Sequence, residues 1–145
     1  MEIVRATADN LEELIPLFNG YRIFYEQASD LGGAHNFLKE RLDGDESVIF
    51  LAVDENGQGL GFTQLYPSFS SVSMQRVYIL NDLFVDASAR GRQVGTGLLD
   101  RAKEFAFSQG AKGLVLETAA DNPAQKLYEK NGWTKDTALH YYWQV

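Results

Sequence analysis

Apolar positions along this chain switch repeatedly between strand-like alternation and helical spacing, and most switches fall at a recognisable turn. Met1 to Ala6 alternates like a short strand. Thr7 and Asp9 are candidate caps for the next helix, with Glu12 and Glu13 favourable in its first turn. Leu11, Leu14, Ile15, Phe18, Arg22 and Tyr25 keep helical spacing, and Pro16 within the run predicts a kink or a late start. Ser29 to Gly33 breaks the pattern. Ala34 to Leu42 resumes it, with Phe37, Leu38 and Leu42 on one face. Val48 to Val53 and Leu60 to Tyr66 read as strands joined by Asp54-Glu-Asn-Gly57, whose Asn-Gly pair readily takes positive φ. Pro67 is the predicted stop.

After a serine-rich loop, Ser68 to Ser73, a further strand spans Arg76 to Val85. Leu98, Leu99, Ala102, Phe105 and Ala106 form a helical stripe ending near Gly110. Gly113 to Thr118 is a strand. Asn122-Pro123 opens a helix that Asn131-Gly132 closes, and Trp133 to Trp143 reads as a final aromatic strand. The order is β-α-α-β-β-β-α-β-α-β, without linker, repeat or low-complexity segment. It implies one α/β domain over residues 1–145.

Composition narrows the chemistry. Hydrophobic residues make up 45% of the chain and aromatics 12%, values of a folded globule. With no cysteine there is no disulfide framework, thiolate metal site or cysteine nucleophile, and two isolated histidines, His35 and His140, do not make a zinc site. No apolar run approaches the ~20 residues that span a bilayer. Glu2, Arg5 and Asp9 interrupt any leader-like start, so the expected location is the cytoplasm. The net charge of −7 disfavours nucleic acid and favours a cationic small molecule.

Candidate chemistry concentrates in Arg90-Gly-Arg-Gln-Val-Gly-Thr-Gly97, between a strand and a helix. Glycines let backbone close around an anion, and the first N–H groups and dipole of the following helix point at it. A Walker loop would end Gly-Lys-Ser/Thr, and a dinucleotide fingerprint would need glycine where Asp100 stands. The loop instead resembles the R/Q-x-x-G-x-G/A pattern of the GNAT N-acetyltransferases. It can be read as Arg92-x-x-Gly95-x-Gly97, or as Arg90-x-x-Gln93-x-Gly95 with Gln93 at a glycine position; the second register fits the preceding strand better. Residues 117 to 133, with Asn-Pro-Ala-Gln-Lys-Leu-Tyr-Glu-Lys-Asn-Gly-Trp at their end, resemble that family's second motif. Tyr21-Arg-x-Phe-Tyr25 and Asn81-Asp-Leu-Phe-Val85 are similar to its polyamine- and histone-type branch.

The resemblance implies a mixed, mostly antiparallel twisted sheet flanked by helices. It also implies acetyl-CoA as cofactor, with the acetyl group passed to a primary amine. Arg90, Gly91, Arg92, Gln93, Val94, Gly95 and Thr96 would hold the pyrophosphate, with Asn122 as a further contact. Leu83, Phe84 and Val85 would offer backbone groups to the pantetheine arm, and an N–H near Phe84 would face the acetyl oxygen. Tyr128 matches the general acid. Asp82 matches an acidic position that binds the ammonium or relays its proton, with Glu26 and Glu117 as alternatives. That branch often has a glutamate where Asn81 stands. Tyr21, Tyr25, Tyr66, Phe69 and Tyr78 are candidates for an aromatic acceptor wall. The family spacing from its Asn to its Tyr is seven residues; Asn122 precedes Tyr128 by six, so Asp121 takes the strict position.

Lacking a cysteine to carry an acyl group, the chain would work by direct attack in a ternary complex. The acceptor is expected to be a small cationic amine. The alternatives are a protein lysine or N-terminus, or a non-catalytic acyl-CoA-binding module. A homodimer through the aromatic C-terminal segment is expected, since Tyr141, Tyr142 and Trp143 cannot all turn inward from one strand.

Overall fold

The computed structural model describes residues 1–145. Strands β1 (Glu2–Arg5), β2 (Val48–Val53), β3 (Gly59–Ser70), β4 (Gln75–Val85) and β5 (Leu114–Val115) form one sheet in that order. The first four are antiparallel neighbours; β5 runs parallel to β4. Helices α1 (Leu11–Phe24) and α2 (Leu31–Asp43) cover one face, and α3 (Val94–Ser108) the other. Helix α4 (Ala124–Lys130) follows β5.

Two apolar clusters hold the layers together. Ile49, Leu51 and Phe62 pack under Leu14, Leu17, Phe18, Ala34 and Leu38. Phe50, Ala52, Leu65 and Leu80 pack under Val94, Leu98, Leu99, Ala102 and Phe105. Alternate residues of β2 therefore serve opposite cores, which is why that strand is apolar throughout. No helix is long and apolar enough to cross a membrane.

Several boundaries differ from the pattern-based expectation. Thr7 does cap the chain's first turn, with Asn10 returning a hydrogen bond to the Thr7 N–H. Helix α1 passes through Pro16 unbroken. Helix α2 begins at Leu31 despite Gly32 and Gly33, because the Asp30 carboxylate accepts the Gly33 N–H at 2.9 Å.

Strand β3 does not stop at Pro67 but continues to Ser70. The Tyr78 N–H points to Gly113 O, away from β3, so the paired Pro67 nitrogen faces the outer side of its strand. The β2 ladder ends at Val48↔Leu65, and no hydrogen bond is forgone there.

The expected strand over 133–143 is absent. Strand β5 offers only two paired residues, too little ladder to build on, and Tyr141, Tyr142 and Trp143 are 91%, 89% and 81% exposed.

Candidate active site

A cleft opens where β4 and β5 part. Their pairing consists of Tyr78↔Leu114 and Ile79↔Val115, so Leu80 to Val85 have no neighbour on that edge. The β3 register steps from Gln64↔Asp82 to Leu65↔Leu80, leaving Asn81 as the extra residue of a bulge. The resulting cavity, of about 480 Å³, runs between β4, the loop before α3, and α4, with the end of α1 over it.

Backbone direction on this edge follows by alternation. The Asp86 N–H bonds Leu60 O on β3, and the Asp82 carbonyl accepts from Thr63 Oγ1 at 2.8 Å. Phe84 shares that parity, so its N–H turns toward β3 and those of Leu83 and Val85 turn to the cleft. Near Phe84, the N–H groups that face the cleft are therefore those of its two flanking residues. Of the cleft-facing carbonyls, Asn81 O accepts from Tyr21 Oη at 3.2 Å and Val85 O from Arg90 Nε at 3.2 Å.

The loop before α3 leaves backbone donors free. Gly91 has φ +76° and Gln93 φ +64°, both left-handed, and α3 starts at Val94. Its first intrahelical bond is Gly97 N–H to Gln93 O, so the N–H groups of Val94, Gly95 and Thr96 lack helical acceptors. Gln93 stands at the glycine position of the Arg90-x-x-Gln93-x-Gly95 register and adopts the conformation glycine prefers there, a strain of about 1–2 kcal/mol. Arg90 lines the cleft; Arg92 is exposed and does not. Gly95 lies against α4, where a Cβ would come within 3.0 Å of Leu127.

Tyr128 on α4 lines the opposite wall, half-buried, with its ring 6.0 Å from that of Trp133. Burial, then the neighbouring Tyr25, pushes its hydroxyl up to about 12, so it holds its proton throughout the neutral range. Asn122, just before α4, accepts the Ala124 N–H at 2.9 Å, and its amide donates to Tyr25 Oη at 3.4 Å across the cleft.

The expected acceptor residues divide. Tyr21 near the end of α1 and Tyr25 at its C-cap meet edge to face at 5.0 Å and line the cleft with Asn81 and Glu117. Tyr66, Phe69 and Tyr78 do not join that wall. Tyr66 is half-buried away from it, Phe69 lies exposed beneath Arg76, and Tyr78 packs on Phe105 in the core. Glu26 is exposed at the left-handed end of α1, outside the cleft. Phe24, Leu127 and Lys130 also line it, with no role implied by the motifs that contain them. The α4 motif contained the last two, but helical spacing alone did not assign them a face.

Asp82 is 2% exposed and sits behind the cleft wall. Its carboxylate accepts Gln64 Nε2 at 2.5 Å and Asn81 Nδ2 at 2.7 Å, with Tyr21 beside it. Burial raises its pKa, and the donors of Asn81, Gln64 and Tyr21 only partly oppose this. Burial and the Asp82 charge also push Tyr21 and Tyr66 above the ordinary phenol range.

Residues 11–133 match the Acetyltransferase (GNAT) family. The chain is 54% identical over 143 residues to an uncharacterized N-acetyltransferase, YhfO, of Bacillus subtilis (strain 168), covering 98% of this chain and 95% of the relative. It is 35% identical over 141 residues to a probable acetyltransferase of Haemophilus influenzae, covering 89% and 97%. A crystal structure of a probable acetyltransferase superposes with TM-score 0.93 at 45% identity, covering 100% of this chain and 97% of that one. The protein is a GNAT-fold acyltransferase and belongs to the GNAT acetyltransferase family, whose members use acetyl-CoA. Membership of its polyamine or histone branch does not follow from these likenesses.

Two outcomes test this geometry. Gln93→Gly removes the left-handed strain but adds glycine's flexibility to the unfolded chain, for a net gain of about 0.5–1 kcal/mol in urea denaturation; a loss would mean that the Gln93 side chain has a stabilising role of its own. Because the Asp82 pKa is raised, its stabilising contribution is complete below the ordinary value of 3.8 and is lost as pH rises through the folded value. The Tm of Asp82→Asn relative to the parent should therefore increase as pH rises above about 4; a difference independent of pH would contradict the burial effect.

Proposed function

We propose that this cleft transfers the acetyl group of acetyl-CoA to the primary amine of a small cationic acceptor. The observation that carries the reading is one continuous groove. It leads from the free N–H groups of α3 along the unpaired edge of β4 to Tyr21, Tyr25 and Tyr128. The donor set fits a diphosphate at one end, and the open strand edge fits an amide-bearing arm. Acetyl-CoA, when bound, supplies the acetyl thioester.

The chain's own groups do the rest. The Leu83 and Val85 N–H groups offer fixed dipoles to negative charge developing on a carbonyl oxygen. Tyr128 keeps a proton available for a departing thiolate. Tyr21, Tyr25 and Glu117 suit an ammonium by cation–π and ionic attraction. Asp82 accepts the proton that the ammonium loses before attack, passed on through the Tyr21 hydroxyl, since its carboxylate does not border the cleft itself. The chain has no cysteine, and attack is direct.

Acetyl-CoA should raise the Tm increasingly with concentration, and CoA release against an amine panel should identify the acceptor class. Tyr128→Phe should keep the thermal shift while turnover falls roughly 100-fold or more. Absence of any shift at millimolar acetyl-CoA would reject the cofactor, and full turnover in the variant would remove Tyr128 from the chemistry.

We also propose a homodimer that covers the exposed C-terminal aromatics, Tyr141, Tyr142 and Trp143. Light scattering at micromolar concentration should give twice the chain mass of 16.2 kDa, and the single mass would exclude the dimer.

A further inference from the structure

Two glycines outside any turn seat the residue at the centre of the unpaired β4 edge. Gly20 lies in the interior of α1, where glycine weakens a helix relative to alanine. A Cβ built on it would stand 3.0 Å from Cζ and 3.2 Å from Cε2 of Phe84. Gly61 lies in β3 opposite Val85. A Cβ there would stand 2.7 Å from the Phe84 carbonyl oxygen and 3.2 Å from both Val85 Cα and Val94 Cγ1. Neither glycine has the positive φ that would by itself call for glycine. What each contributes is a missing side chain: the tip of the Phe84 ring fills the space beside Gly20, and the Phe84 carbonyl fills the space beside Gly61.

The geometry points to Gly20 as a positioning residue for the transfer proposed above, on which this inference rests. With Gly61 it holds Phe84 from the α1 and α3 sides, and so fixes where the flanking Leu83 and Val85 N–H groups lie. A methyl group on Gly20 has one way to be accommodated. Helix α1 is anchored by Leu17 and Phe18, which are buried, and cannot retreat cheaply. The Phe84 ring is half-buried and borders the cleft, so it is the ring that yields. The backbone carrying the two donors moves with it. Displacements well under an ångström at such donors are enough to slow a reaction that depends on their aim.

The test is a cycle of Gly20→Ala, Phe84→Leu and the double variant, read by the Leu83 and Val85 amide resonances of the protein alone and by CoA release with the best amine found. Gly20→Ala should shift both resonances and keep or raise the Tm, because alanine is the better helix former. It should lower kcat roughly 10- to 100-fold, with a smaller change in the KM for acetyl-CoA. In the double variant the shorter leucine leaves room for the methyl group, so resonances and kcat should match those of Phe84→Leu alone. Parental resonances and kcat in Gly20→Ala would overturn the proposal. So would a loss that persists undiminished in the double variant, which would mark a general defect of α1. The resonances need no substrate. If no amine on the panel is acetylated, the transfer reading fails, and the resonances alone still decide whether Gly20 seats Phe84.

Discussion

Strand β4 has two hydrogen-bonding edges and completes only one of them along its whole length. Its β3 edge is paired from Gln75 to Val85, while its β5 edge is paired only at Tyr78 and Ile79. Peptide groups left on a half-covered edge must find partners elsewhere. The chain supplies some of them: Tyr21 takes the Asn81 carbonyl and Arg90 the Val85 carbonyl. The cleft-facing N–H groups of Leu83 and Val85 are left for whatever enters. A sheet that closed fully against β5 would be more stable locally and would have no site. The bulge at Asn81 and the short β5 are what keep it open.

Around that edge, each wall contributes a different kind of group. The start of α3 contributes free N–H groups, made accessible by left-handed backbone at Gly91 and Gln93. Helix α4 contributes a phenol that burial keeps protonated. Helix α1 contributes aromatic rings that lean on one another, Tyr21 on Tyr25 and Tyr25 on Phe24. Behind the wall, Asp82 ties α1 to β3 and β4. It binds the side chain of Asn81 and the amide of Gln64, and raises the phenol pKa values of Tyr21 and Tyr66. Burying a carboxylate is costly even with three donors around it, so the site sits on a polar cluster whose charge responds to pH.

Much of this was legible in the residues. Val48 to Val53 was readable as a strand because an apolar run bounded by turn residues has few other uses, and Thr7 as a cap because its hydroxyl suits a free N–H. The loop from Arg90 to Gly97 and the helix carrying Tyr128 were readable because their chemistry depends on local backbone shape, which nearby residues dictate. Local pattern misled where a distant partner decides. Pro67 stops no strand, because β2 has already ended beside it, and Trp133 to Trp143 form none, because no ladder is there to receive them.

The sequence by itself therefore determined the order of elements up to the last helix, the glycine-bearing turn before α3, the family and the identity of most groups on the cleft wall. Only the tertiary structure decided which way those groups face. Asp82 lies behind the wall and not in it, Tyr66 and Phe69 lie outside the cleft lining, and the N–H groups that face the cleft belong to the residues flanking Phe84. The physical reason is range. Capping, turn chemistry and periodicity act over a few residues and are written in consecutive positions. The parity of a strand edge, the depth of a carboxylate and the fit of a ring against a glycine depend on contacts between elements far apart in the chain. The tip of Phe84 resting on Gly20 is one such contact.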